Sequence, residues 1–124
     1  MTRILAVDDS LTIRSMVKTI LENEGFEVVS ANDGVEAMEI AREQTFDLVL
    51  SDINMPNMNG ISLVSKLRRL EGFTEIPIIM LTTEDSDFKK KKAKNFGASG
   101  WLQKPFTEER LVGAVQKLLT ARAT

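Results

Sequence analysis

The sequence predicts an α/β domain built on a parallel, doubly wound sheet, and three observations carry that expectation. Short apolar runs alternate five times with longer stretches of helical period, the pattern of strands joined by crossover helices. The connections are short throughout, with no low-complexity tract and no repeat of fixed period. Charged residues close several of the apolar runs, at the edge where open sheets of this kind gather their ligands.

The first strand is read at Arg3 to Val7, and Ser10 caps a helix whose Ile13, Met16, Val17, Ile20 and Leu21 share one face. Gly25 ends that helix. Val28 and Val29 mark a second, shorter strand, after which Asp33 caps a helix containing Val35, Ala37, Met38, Ile40 and Ala41. Leu48 to Leu50 is the third strand. Ile61, Leu63, Val64, Leu67 and Leu70 recur at helical spacing, and Pro77 introduces the apolar run Ile78 to Leu81, a fourth strand buried on both faces. A lysine-rich helix over 86–96 stops at Gly97. Gly100 to Gln103 is the fifth strand, and Thr107 caps a last helix with Leu111, Val112, Val115, Leu118 and Leu119 turned inward.

With 124 residues the chain reads as one domain spanning 1–124, with no effector domain expected after it. A chain of that size buries roughly two thirds of its unfolded surface and needs no covalent staple. It contains no Cys and no His, which removes disulfides, thiolate and imidazole metal sites, and the usual imidazole bases. Its 16 basic and 18 acidic residues leave a net charge of −2, a balance that favours neither nucleic acid nor an anionic membrane as partner. No uncharged stretch approaches the roughly 20 residues of a spanning helix, and the expected setting is cytoplasmic, as a monomer.

Asp8, Asp9, Asp52 and Lys104 each lie at or just past the end of an apolar run. In a sheet of order 2-1-3-4-5, an order borrowed from known doubly wound folds, strands one and three are neighbours and these side chains meet on one rim with Thr82. Clustered carboxylates repel, and a cation is the simplest way to keep them ionised. Oxygen ligands without His or Cys suit Mg2+. The expected ligands are Asp9, Asp52 and the backbone carbonyl of Asn54, with Asp8 acting through water and open positions left for a phosphoryl oxygen.

Four ordered motifs, Val7-Asp8-Asp9-Ser10, the run from Ser51-Asp52-Ile53-Asn54 to Asn59-Gly60, Leu81-Thr82-Thr83 and Lys104-Pro105-Phe106, make the whole chain resemble a response-regulator receiver domain of the single-domain chemotaxis CheY type. The resemblance implies a flavodoxin-like (βα)5 fold. It also implies that Asp52 takes a phosphoryl group from a phosphohistidine of a sensor histidine kinase of the CheA type, with Mg2+ offsetting charge. Lys104 and Thr82 would hold phosphoryl oxygens, while Asn54 and Glu84 would set how long the acyl phosphate lasts. Trp101, three residues before Lys104, stands where the family keeps the aromatic residue that couples to Thr82 in the switch. The implied partners are the kinase, a phosphorylation-dependent target such as the flagellar motor switch, and a phosphatase; the implied catalysis is confined to the chain's own phosphorylation and dephosphorylation.

Other readings compete at individual positions. Asp8 and Asp9 also suit a helix cap, the rim charges a structural ion-pair network, and Asn54 to Gly60 an ordinary turn. Pro105 reads as a backbone-shape residue, with a cis peptide as one form of it. A stand-alone relay receiver outside chemotaxis fits the same motifs. A Mg2+-dependent aspartyl phosphatase of the haloacid dehalogenase type would need a second Asp at position 54, where this chain has Asn. A nucleotide or flavin carrier would need a glycine-rich loop where Asp8-Asp9-Ser10 stands. Lys89 to Lys92 and Lys94 read as a solvated face or as a surface for an acidic partner.

Overall fold

The computed structural model describes residues 1–83 and 87–123, with backbone alone at 88, 89, 122 and 123. Strands and helices alternate as β1 (Arg3–Val7), α1 (Leu11–Asn23), β2 (Glu27–Ala31), α2 (Gly34–Glu43), β3 (Leu48–Asp52), α3 (Gly60–Leu67), β4 (Ile78–Thr82), α4 (Asp87–Asn95), β5 (Gly100–Gln103) and α5 (Glu108–Ala123). The strands pair in parallel in the order β2-β1-β3-β4-β5, so the fold class expected from the sequence is the one observed. Ile4 stands opposite Val28 on one side and Leu48 on the other, and this register carries every strand to the same carboxyl edge.

Strand periodicity divides the core between the two faces of the sheet. Leu5 and Val7 of β1 pack with Val49, Met80 and the apolar sides of α2 and α3, whereas Ile4 and Ala6 pack with Leu50, Ile79 and the inward residues of α1 and α5. Val17 and Leu21 from α1 and Leu111 and Val115 from α5 are buried, as their spacing predicts. Ser10, Asp33 and Thr107 accept backbone N–H groups at the starts of α1, α2 and α5. After α1 and α4 the chain reverses through Gly25 and Gly97, both at positive φ, where a side chain would be strained.

Several boundaries differ from those read in the sequence. β2 is not short: it has five residues, as many as β1, because Ser30 and Ala31 continue the ladder opposite Ala6 and Val7. β3 runs past Leu50 to include Ser51 and Asp52, and β4 includes Thr82, so Asp52 and Thr82 end strands rather than follow them. α3 stops at Leu67, leaving Leu70 in a turn. There the Arg68 guanidinium donates to the carbonyls of Phe73, Ile76 and Gly97, which pins the chain reversal between α3 and β4 to the end of α4. The start of the lysine-rich helix at Ser86 and the position of Glu84 lie outside the described residues.

Candidate functional site

The carboxyl edge of β1, β3, β4 and β5 collects the polar groups. Asp8 is buried just past β1. Its N–H donates to the Ala31 carbonyl, its Oδ1 accepts from the Ser10 N–H at 2.9 Å, and its carbonyl accepts from Arg14 at 2.7 Å. Asp9 follows and is exposed. Asp52 closes β3 at 7% exposure, opposite Leu81 of β4. Thr82 closes β4 and is buried, and its carbonyl accepts from the Lys104 N–H at 2.7 Å, so the backbone that ends β5 is tied to the residue that ends β4. The Lys104–Pro105 peptide is cis.

These ties bring the charges together. Oxygens of Asp8, Asp9 and Asp52 lie within 4.8 Å of one another. The Lys104 Nζ sits 2.6 Å from Asp8 Oδ2 and 3.5 Å from Asp52 Oδ1. Burial is the main cause that pushes the Asp52 carboxyl up to about 6; Lys104 opposes the rise, while Asp8 and Asp9 add to it. At neutral pH Asp52 is therefore mostly ionised, at an energetic cost that a cation beside it would relieve. Three convergent carboxylates and no nitrogen or sulfur ligand match the preference of a hard divalent ion.

The loop from β3 to α3 shapes the floor of this pocket. A Cβ on Gly60 would come 2.2 Å from the Asp52 carbonyl oxygen and 2.9 Å from the Ile53 Cα, so only glycine lets α3 begin this close to Asp52. The Gly60 N–H donates to the Ile53 carbonyl at 2.7 Å, and Asn59 caps α3 through the Ser62 N–H. Farther out, Asn57, at φ 70, donates its amide to Asp33 at 3.0 Å while Asp33 also caps α2. The Glu36 N–H and then the Asn57 amide hold the Asp33 carboxyl below its usual value. Sequence reasoning passed over this brace and the steric role of Gly60, taking 54–60 either as part of a family motif that supplies Asn54 or as an ordinary turn. The available signal was a glycine directly after a capping Asn, one helix-start away from a strand-end Asp.

Asn54 lies exposed on the same loop, two residues past Asp52. Trp101 pairs with Met80 in the β4–β5 ladder, and strand alternation puts its side chain on the sheet face shared by Met80 and Thr82. Its indole packs against the core on that face, with Lys90 Nζ 5.7 Å from a ring centroid. The Nε1 is buried and has no hydrogen-bond partner among the described residues.

Compared with known proteins, residues 4–116 match the family described as the response regulator receiver domain. This chain belongs to that family. As a receiver it is a component of two-component signalling. Its structure superposes with a TM-score of 0.93 on the chemotaxis protein CheY4 of Vibrio cholerae, at 46% identity over 95% of this chain and 98% of that one. It is 37% identical to the transcriptional regulatory protein CpxR of Escherichia coli, over 96% of this receiver and 50% of CpxR; the chain spans about half the length of that relative. The receiver domain of the Pseudomonas aeruginosa sensor histidine kinase PA1611, 27% identical over 96% of this chain and 98% of that one with a TM-score of 0.88, is solved with a magnesium ion coordinated in its active site cleft. The acidic cluster of Asp8, Asp9 and Asp52 is a site of the composition that such an ion takes. Among the described residues no helix is long and apolar enough to cross a membrane.

Proposed function

We propose that Asp52 is the phosphoacceptor of this receiver. One carboxylate oxygen attacks the phosphorus of a phosphohistidine on a sensor histidine kinase, the P–N bond breaks, and an acyl phosphate forms while the imidazole leaves. The observation that carries this reading is the arrangement around Asp52: a nearly buried, mostly ionised carboxylate with the Lys104 ammonium 3.5 Å away and two further carboxylates alongside. Lys104 orients a phosphoryl oxygen and offsets its charge, and the Thr82 hydroxyl, at the end of the neighbouring strand, donates to another. Asp9, Asp52 and the Asn54 carbonyl, with Asp8 through water, would hold Mg2+, which when bound would supply charge neutralisation for the transferring group. Position 54 offers no carboxylic acid to protonate a leaving alkoxide, so turnover of ordinary phosphate esters is not part of this reading.

The output is a change of binding surface. Thr82 and Trp101 share one face of the sheet, so a hydroxyl drawn toward a phosphoryl group changes what the indole packs against. Moving such an equilibrium from 1:99 to 99:1 takes roughly 5.5 kcal/mol of differential stabilisation, part of which the added charge of about −2 supplies. Asn54 and Glu84 tune the lifetime of the acyl phosphate. The likeness to CheY4 across nearly all of that chain supports a chemotaxis role, with a CheA-type kinase upstream and a flagellar motor switch protein downstream.

A deciding measurement is labelling with a small phosphodonor plus Mg2+, read by mass and by the fluorescence of Trp101, the chain's single tryptophan. One phosphoryl group on Asp52, absent in Asp52→Asn, supports the reading; modification elsewhere or none at all ends it. For the output, beryllofluoride-loaded protein is expected to retain a flagellar motor switch protein that the unloaded protein releases. Equal retention removes the chemotaxis assignment and leaves the receiver assignment standing.

A further inference from the structure

Helix α4 has the sequence Asp-Phe-Lys-Lys-Lys-Lys-Ala-Lys-Asn, a strongly basic segment in a chain of net charge −2. Receiver chemistry makes no use of it. Its cations do not form one uniform coat. Lys90 and Lys94, one helical turn apart, flank Trp101 around a hollow of about 240 Å³. Lys92 and, one turn on, Phe96 face the opposite way, toward α3, where they line a separate groove of about 310 Å³ with Ile61, Ser62, Lys66 and Arg69.

Three properties distinguish this groove from an ordinary solvated lysine face. No lining residue is acidic, and none of Lys66, Arg69 and Lys92 makes an ion pair among the described residues, although the chain is acidic overall. Phe96 is 45% exposed, one of few large apolar side chains left in solvent, and Ile61 lies beside it against the core. Ser62 adds a hydroxyl-bearing side chain to the lining. An apolar floor ringed by unpaired cations complements an acidic polypeptide segment carrying an aromatic or aliphatic residue: carboxylates meet the three cations and the apolar side chain covers the phenyl ring. Nucleic acid suits it less well, because it would leave Phe96 and Ile61 uncovered and meet the acidic remainder of the surface.

We infer that the α3–α4 groove is a docking site for an acidic, aromatic-containing peptide segment of a partner protein, separate from the Asp52 pocket and from the hollow beside Trp101 on the other side of α4. The test uses fluorescence anisotropy on the whole, unphosphorylated chain, with a labelled peptide of glutamates around a single phenylalanine. Lys91 and Lys92 are adjacent exposed lysines, and only Lys92 lines the groove. Lys92→Glu is expected to weaken binding about fivefold and Lys91→Glu less than about twofold, while Lys66→Glu with Arg69→Glu loses about tenfold or more at 0.1 M salt. Phe96→Ser is expected to weaken binding at least about threefold, and a peptide with serine in place of phenylalanine should no longer distinguish it from the native chain. Circular dichroism of each variant separates lost binding from lost structure. Equal effects of Lys91→Glu and Lys92→Glu, or an oligonucleotide that competes as well as the peptide and is unaffected by Phe96→Ser, would overturn the proposal in favour of an unspecific basic surface.

Discussion

Lys104 is bonded more closely to Asp8, at 2.6 Å, than to Asp52, at 3.5 Å. The lysine is thus shared between two buried carboxylates contributed by different strands, and the group that would receive a phosphoryl oxygen is already occupied by Asp8. Removing the cation leaves both carboxylates without it. Lys104→Met is expected to lower stability by about 2–4 kcal/mol at pH 7, and by less at pH 5, where protonation relieves the repulsion. Urea denaturation at the two pH values checks both the loss and its direction.

The Asp52 carboxyl titrates near 6 in the folded chain against 3.8 in its unperturbed form, chiefly through burial. A raised acid binds its proton more tightly when folded, so its stabilising contribution is complete below pH 3.8 and is lost as pH rises through 6. The metal-free protein is therefore expected to become more stable between pH 7 and pH 5 on account of this residue, by about 1 kcal/mol. Asp52→Asn should raise stability at pH 7 by a comparable amount and flatten that part of the pH profile. A variant less stable than the native chain at pH 7 would contradict the assignment.

Divalent-ion affinity should follow the same titration. Mg2+ competes with the Asp52 proton, so binding measured by calorimetry is expected to weaken below about pH 6, approaching about tenfold for each further pH unit, and to release protons when it occurs near that pH. Affinity that is flat from pH 7 to pH 5 would place the ion elsewhere.

Two glycines give opposite expectations for the same substitution. At Gly60 a Cβ meets the Asp52 carbonyl at 2.2 Å, so Gly60→Ala should cost about 2 kcal/mol or more and slow phosphorylation by displacing the nucleophile. At Gly113, exposed within α5, a Cβ meets nothing within 4 Å, and Gly113→Ala should stabilise by about 0.5–1 kcal/mol. Thermal melts of the two variants measure the contrast directly.

Arg68 donates to three backbone carbonyls, and among the described residues no carboxylate is its partner. Its guanidinium closes the reversal after α3 and fastens the end of α4, so Arg68→Lys, which loses the planar fork, is expected to cost about 1–3 kcal/mol. Hydrogen exchange should report the loss first at the amides of α4 and of the turn that follows it.

Much of the fold was legible because its signals are local. β1 and β5 run where their apolar residues stop and start, and the helix caps Ser10, Asp33 and Thr107 announce themselves by residue type. That Asp8, Asp9, Asp52 and Lys104 share one edge was also legible, since each follows a run of the same character. What the sequence withheld is long-range. Which carboxylate takes the lysine, the Asn57 to Asp33 brace, and the fit of Gly60 beneath Asp52 depend on the register between strands and on loop paths that no local pattern encodes. β2 looked short because Ser30 and Ala31 carry little strand propensity, and pairing with β1 overrides it.

The ion pair at the centre of the pocket joins residues 96 positions apart, and the groups around it come from four strands. A chain still being synthesised, or one that has unravelled at either end, holds no assembled receptor for the signal. If Asp52 is the phosphoacceptor, competence to be switched on then requires the first and last strands to be in place together, and a chain truncated before Lys104 is expected to stay silent instead of sending a faint message of its own.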